Sequence, residues 1–378
     1  MLDHLKAEVQ HLGKPQWRPM LAYVAELHET STHPPRPPFP HPWEEIGPGY
    51  CYGPAFGHWD LIHAVFDTLP TEPEHARQQL LNNLAAQQED GLVPGSIWMR
   101  DEKPRWSTRA GHPPVWPIAV QDYTGLHGTD ALLRACYEPL IRQIGWFERF
   151  RRAEGIGFFY TDILDRTWES GIDEGVRFDQ AQPGPFACID ATSHIYALYA
   201  IAAEWSEVVG RDSQPYREQA ERLRAFVQTE LYDHDSGFFY DIWAVRDPQM
   251  RHLCFEGMWP LVVGAATADQ AQRVIDGHLL NPEHFFSTHP ICTVAHTDPS
   301  FELRMWRGPT WNSMTYWAAR GCLRYGRPDA ARQLVERALD ASTLQFEHTG
   351  TVWEFYHPHG GDPLSLKRKP HPPPNKPC

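Results

Sequence analysis

Apolar residues recur at helical spacing through most of the chain. From Tyr216 they fall at Tyr216, Ala220, Leu223, Val227 and Leu231, a four-three-four-four rhythm that lines one face of a helix. Ser213 is placed to cap that helix, and Pro215 suits its first turn, where a missing N–H costs nothing. The run before it, Ala191, Ile195, Leu198, Ala202, Trp205 and Val209, repeats the pattern, with Asp190 as N-cap and Gly210 as terminator. Comparable stripes predict helices over 17–29, 58–69, 73–89, 114–126, 130–151, 256–265, 268–280, 311–325 and 328–341. The total is about eleven or twelve helices, with few convincing strands.

A weak internal repeat joins these helices. "EDGLVPG", "EGIGFFYTD", "HDSGFFYD" and "EHTGTVWEF" each follow an amphipathic stretch with polar residues, a glycine, and then apolar or aromatic residues. The glycines, Gly91, Gly157, Gly237 and Gly350, suit left-handed caps, and the β-prone residues after them suit short hairpins. Their separations are irregular, which excludes a solenoid of uniform repeats. A single layer of a dozen helices would leave apolar faces exposed, whereas an inner ring within an outer ring buries them. The expected fold is therefore all-α, an (α/α)6 toroid of about twelve helices in a double ring, with long loops at one end. Residues 1–365 read as one domain, and residues 366–378, ending in "KRKPHPPPNKPC", as an exposed tail.

Charge and composition narrow the partners. The formal net charge is −14, which argues against nucleic acid or an anionic membrane surface. The N-terminal "MLDHLKAEVQHLGKPQW" has neither a signal-peptide pattern nor a membrane-spanning run, and the seven cysteines form no CxxC pair. A reduced, cytoplasmic protein is the expectation. The 15 tryptophans are numerous enough to supply flat walls for a sugar site as well as core.

The unusual residues concentrate in five segments. "HWD" places Trp59 and Asp60 at a helix start, where Asp60 serves either the helix dipole or ligand hydroxyls. Residues 95–120 gather Trp98, Trp106 and Trp116 with Arg100, Arg105 and Arg109. "WESGIDEGVRFD", residues 168–179, sets Glu169, Asp173 and Glu174 beside Trp168 and Arg177. "ELRMWRGPTWNSMTYW" carries Trp306, Arg307 and Trp311, and Arg307 has the fork to hold a carboxylate. "GTVWEFYHPHGG" contains Glu354, which in an extended segment shares a face with Val352 and Tyr356; Asp241 occupies the equivalent place in the third repeat and is its rival.

Two carboxylates among aromatic walls point to glycosidic bond hydrolysis, which needs one acid for the leaving oxygen and one base for water. The chain has no HExxH, and His357-x-His359 alone is a weak metal pattern. GxGxxG, Walker and GxSxG motifs are absent, and "DHDSG" reads as a turn rather than a calcium loop. No metal or cofactor is therefore expected.

The motifs taken in order resemble glycoside hydrolase family 63 and its trehalase-related neighbours. "HWD", "HPPVWPIAV", "SGID…RF", "DATSHIYALYA", "PICTVAHTDPSF", "WRGPTW" and "WEFYHPHGG" are similar to that group's segments from about residue 45 to about 362. The resemblance implies an (α/α)6 barrel and an inverting α-glycosidase, with Asp173 as general acid and Glu354 as general base. It implies substrate contacts from Trp59, Asp60, Trp98, Arg177, Trp306, Arg307 and Trp311, to which the residue pattern adds Trp168. The short chain matches the single-domain bacterial mannosylglycerate and glucosylglycerate hydrolases of the group, so a small glycoside is the expected substrate. Departures include His112 where a Gln is usual and Glu174-Gly175-Val176 after "SGID". Two rivals stand beside this reading. One is a sugar epimerase or lyase using His58, His112, His194 or His289, and the other a carbohydrate-binding protein without turnover.

Overall fold

The computed structural model describes residues 2–50, 53–165 and 168–368. Fourteen α-helices lie among them: α1 (Asp3–Glu8), α2 (Arg18–Thr30), α3 (Asp60–Thr68), α4 (Pro73–Ala85), α5 (Trp116–His127), α6 (Ala131–Phe150), α7 (Asp162–Asp165), α8 (Ile189–Val209), α9 (Gln214–Glu230), α10 (Ile242–Arg246), α11 (Trp259–Val263), α12 (Ala268–Val274), α13 (Asn312–Arg324) and α14 (Pro328–Thr349). Strands are short: β1 (Thr32–His33), β2 (Trp43–Glu44), β3 (Ala55–Gly57), β4 (Ser96–Trp98), β5 (Arg105–Trp106), β6 (Tyr232–Asp233) and β7 (Phe238–Phe239). All their pairings are antiparallel: β1 with β2, β3-β4-β5, and β6 with β7.

Every long helix expected from periodicity is present, and the differences are local. Ser213 does not cap α9 with its side chain: its hydroxyl donates to Glu207, and the Asp212 carboxylate accepts the Gln214 N–H instead. Asp190 lies inside the first turn of α8, where an arginine claims its carboxylate. The 256–265 stretch tightens into a 3-10 turn before α11, which Gly264 ends in a left-handed conformation. Helix α14 runs eight residues beyond the expected end; Asn312 Nδ2 donates to Ser342 Oγ on that extension, and Gly350 closes it at φ 71°. A T-x-x-Q capping box at Thr267 and Gln270 starts α12.

Two compact units form. One comprises the residues up to Phe150 together with Leu198–Glu218, the other Arg151–Ala197 together with the chain from Gln219. In the first, Phe39, Trp43, Phe56, Leu61, Ala86, Ile97 and Met99 make one apolar cluster. Trp116 donates its indole N–H to Gln143 at 2.7 Å and packs 6.0 Å from Trp205, tying α5 to α6 and to the second half of α8. In the second, Trp259 packs on His194, Phe255 and Trp317 at centroid distances of 4.1, 5.7 and 5.4 Å, and Arg324 donates to the Val262 carbonyl. The tail expectation needs a correction at its start. Leu366 and Arg368 are buried, the second in an ion pair; residues 369–378 lie outside the described residues.

The first unit also buries a charge cluster. Glu44 on β2 accepts from His28 Nδ1 at 2.7 Å and from His75 Nε2 at 2.8 Å, and its backbone N–H donates to Gln79. Burial alone would depress the His28 imidazole, but the Glu44 and Asp67 carboxylates overcome it and raise it to about 10. A folded-state value above the unfolded one gives stability that is complete below the ordinary histidine range, near 6.5, and drains as pH rises toward 10. The melting temperature should therefore fall across that window in the parent. In Glu44→Gln it should be lower at pH 6 by the equivalent of about 3–5 kcal/mol, with a flatter dependence between pH 6.5 and 10. Parallel pH curves for parent and variant would refute the assignment.

Candidate active site

The acids of residues 161–179 separate by burial. Glu169 is buried and held on both oxygens by Arg151, at 2.7 and 2.8 Å, with further bonds from the Thr161 N–H and hydroxyl. Asp162 is buried as well and accepts from the Ser170 N–H and hydroxyl; burial and the neighbouring Glu169 charge push it up to about 7. Glu174 pairs with Arg304, and its carbonyl accepts from Arg307 at 3.1 Å. Asp173, between Ile172 in the core and Glu174, is half-buried.

Arg177, expected as a substrate contact, is engaged by acids of the protein itself. It is buried and shared by Asp190, Asp241 and Glu256: Nη1 donates to Asp190 at 3.1 Å and to Asp241 at 2.7 Å, and Nε lies 3.0 Å from Glu256. One buried cation faces three buried carboxylates. Burial therefore lifts Asp241 to about 6 and Glu256 to about 7, although Arg177 pulls both the other way. Asp241, the rival for the base, is thus committed to Arg177 and to the Ile189 N–H at 2.9 Å. Among the described residues, Cys188, Asp190 and Asp241 come close enough to hold a metal ion, and the Arg177 guanidinium lies on both aspartates. The "DHDSG" stretch forms the β6–β7 turn, with Asp233 accepting from the Ser236 N–H at 2.7 Å and from Arg251 at 2.8 Å.

Arg307 likewise works within the protein. Its guanidinium meets both oxygens of Asp179, donates from Nε to Glu302 at 2.9 Å, and reaches the Glu174 carbonyl. The turn that presents it depends on Gly308 at φ 155°, where a Cβ would stand 2.5 Å from the Glu302 carbonyl oxygen. Two non-glycine residues here adopt left-handed backbone, Glu174 at φ 58° and Met305 at φ 41°. Each costs about 1–3 kcal/mol and persists because surrounding contacts fix it. Arg304 and Arg307 fix the first, and the Met305 N–H bond to the Lys367 carbonyl fixes the second.

Trp306 and Trp311 stack at 3.6 Å with planes 6° apart, and Phe355 stacks on Trp311 at 5.2 Å. Thr310 pairs with Tyr356 through backbone bonds in both directions, which sets "WEFYHP" beside "WRGPTW". The expected extended run at Glu354 is instead a turn: the Trp353 N–H donates to the Tyr356 hydroxyl at 3.1 Å, and Trp353, Phe355 and Tyr356 are all buried. Glu354 itself is half-buried and ion-paired with Arg368, a partner that sequence reasoning had placed in the tail.

The remaining candidates belong to the first unit, apart from half-buried Trp168 in the second. Trp59 is buried and edge-on to His63 at 4.8 Å; Trp98 sits on β4 opposite Ala55 and Arg105. Asp60 opens α3 with its carboxylate folded back on β3, so a Cβ at Gly57 would come within 2.2 Å of it. The histidines named for an epimerase are poor proton donors. Burial depresses His58 and His289 to about 4, and His112 and His194 to about 3, which keeps all four neutral near pH 7.

A family described as "Mannosylglycerate hydrolase MGH1-like glycoside hydrolase domain" matches residues 54–369. The chain belongs to this family. It is a glycoside hydrolase, which sets aside the epimerase, lyase and binding-only readings. Mannosylglycerate hydrolase MGH1 of Selaginella moellendorffii is 25% identical over 381 residues, covering 80% of this chain and 75% of that protein. The glucosylglycerate hydrolase of Mycolicibacterium hassiacum is 22% identical, covering 82% and 88%. The crystal structure of the family 63 mannosylglycerate hydrolase from Thermus thermophilus in complex with Tris superposes with a TM-score of 0.72 at 18% identity, covering 90% of this chain and 95% of that one. This likeness carries the expected (α/α)6-type fold of the glycoside hydrolase. No helix among the described residues is long and apolar enough to cross a membrane.

Removing the shared cation gives a direct test of the buried cluster. Arg177→Met leaves three buried carboxylates without their partner and should cost about 3–5 kcal/mol in urea unfolding at pH 7. A loss below about 1 kcal/mol, the range of an exposed pair, would contradict the geometry.

Proposed function

We propose that this glycoside hydrolase is an inverting α-glycosidase acting on a small α-glucoside or α-mannoside, with Asp173 as general acid and Glu354 as general base. The carrying observation is the sorting of the acids. Glu169, Asp190, Asp241 and Glu256 are buried and consumed by Arg151 and Arg177, whereas Asp173 and Glu354, the two that match the family motifs, are half-buried. A half-buried carboxyl can both meet a substrate and feel a partly desolvated environment.

In the reaction, Asp173 gives its proton to the glycosidic oxygen as the bond from that oxygen to the anomeric carbon breaks. Glu354 takes a proton from a water whose oxygen bonds to the anomeric carbon from the opposite face. The products are the freed aglycone alcohol and a sugar of inverted anomeric configuration. Such a pair needs carboxyl groups about 6.5–9.5 Å apart, room enough for the water.

Half-buried Trp168 has the ring suited to a pyranose C–H surface, and Trp306 and Trp311, stacked on each other, enter on their motif match. Trp59, Asp60 and Trp98, in the first unit, match family-motif positions that the resemblance gives to substrate. Arg177 and Arg307 enter as residues that hold the loop of Asp173. A glycerate-type aglycone is the first to test, because the relatives above are named for mannosylglycerate and glucosylglycerate. A cytoplasmic setting accords with five free, buried cysteines among the described residues.

The purified chain, offered α-linked disaccharides and glycosylglycerates, should release the β-anomer first by proton NMR. Asp173→Asn and Glu354→Gln should each lower kcat by about 10²–10⁴-fold on an unactivated substrate. Initial release of the α-anomer, or full activity in Asp173→Asn, would reject this mechanism.

A further inference from the structure

Residues 362–368 return to the site. Asp362 caps a 3-10 turn, Pro363–Ser365, by accepting the Leu364 N–H at 2.9 Å. Leu366 is buried at 2% exposure, and Lys367 then pairs alongside Arg304 in parallel register. Two backbone bonds fix that register, Met305 N–H to the Lys367 carbonyl at 2.9 Å and Lys367 N–H to the Leu303 carbonyl at 3.2 Å. Side chains alternate along such a segment, so Lys367 is exposed while Arg368 turns inward with its side chain only 4% exposed. Its Nη1 rests on Glu354 Oε2.

A buried guanidinium is costly unless it is paired, and Glu354 is its ion-pair partner in the structure. The same short stretch carries Arg304, whose side chain pairs with Glu174 next to Asp173. Residues 303–305 therefore register the C-terminal segment by their backbone and the loop of the candidate acid by a side chain.

We propose that Arg368 is a positioning residue for hydrolysis, its guanidinium holding one oxygen of the Glu354 carboxylate and leaving the other to take the proton from water. The inference rests on the reading of Glu354 as general base. The ion pair selects one carboxylate orientation and favours the charged form a base must have before the reaction. Arg368 touches neither water nor sugar in this role.

The test is the pH dependence of kcat and kcat/KM for hydrolysis by the full chain, comparing parent, Arg368→Gln, Arg368→Lys and Glu354→Gln, with melting temperature followed for each. Removing an opposite charge in contact with a carboxylate moves its titration upward by about one to three units. The acidic limb of the Arg368→Gln profile should shift toward neutral pH by that amount, with kcat falling and KM nearly kept. Arg368→Lys, which keeps the charge, should hold the limb near its parental position at reduced kcat, and it decides the matter if Arg368→Gln does not fold. A parental limb in Arg368→Gln, or equal loss at every pH, overturns the inference, as does a limb in Arg368→Lys that moves as far as expected for Gln. Glu354→Gln separates the two levels. Full activity there removes the base reading itself, whereas an inactive Glu354→Gln beside an unshifted Arg368→Gln removes only the role of Arg368.

Discussion

The candidate site of the second unit depends on one guanidinium. Arg307 is shared by the Asp179 carboxylate, the Glu302 carboxylate and the Glu174 carbonyl, so it ties both ends of the 174–179 loop to the turn that carries Arg307 itself. A point charge could not do this: the planar fork supplies donors in several fixed directions at once. The turn needs Gly308, and the loop needs Glu174 in a left-handed conformation that arginine contacts hold in place. Asp173 takes its position as the neighbour of a residue clamped from two sides.

The same logic recurs through the unit. Arg151 holds Glu169, Arg177 holds Asp190, Asp241 and Glu256, Arg304 holds Glu174, and Arg368 holds Glu354. In a chain of net charge −14, arginines are spent where acids would otherwise repel one another inside. Bidentate pairs add directional geometry to the apolar packing of these long loops. The aromatic stack of Trp306, Trp311 and Phe355 adds a rigid floor to the segment that carries Glu354.

Helices were legible because their apolar stripes are local and periodic. The register of α8 and α9 follows from spacing alone, and Gly210, Gly264 and Gly350 mark ends by their left-handed backbone. Less was legible where a second partner decides the outcome. Ser213 suited a cap, but its hydroxyl is drawn to Glu207 and Asp212 accepts the Gln214 N–H instead. The alternation expected around Glu354 fails because Tyr356 is drawn to Thr310 by backbone bonds and folds its hydroxyl back on the Trp353 N–H. Arg177 and Arg307 looked like substrate clamps because a loop arginine beside acids has the same local sequence whether it faces a ligand or the protein.

By itself the sequence determined the all-α class, the positions of the long helices, the ordered motifs of a glycoside hydrolase and the short list of acids that could act. Those features are carried by neighbours three or four residues apart, or by residue identity at a motif. Only the tertiary structure decided which acids are buried, which stay half-buried, and which arginine each one meets. Those pairs join Arg177 to Asp241 across 64 residues and Arg304 to Glu174 across 130. Charge pairing over such separations leaves no periodic trace in a sequence. For that reason Arg368, at the edge of a proline-rich stretch that reads as a tail, came to light only where the fold sets it against Glu354.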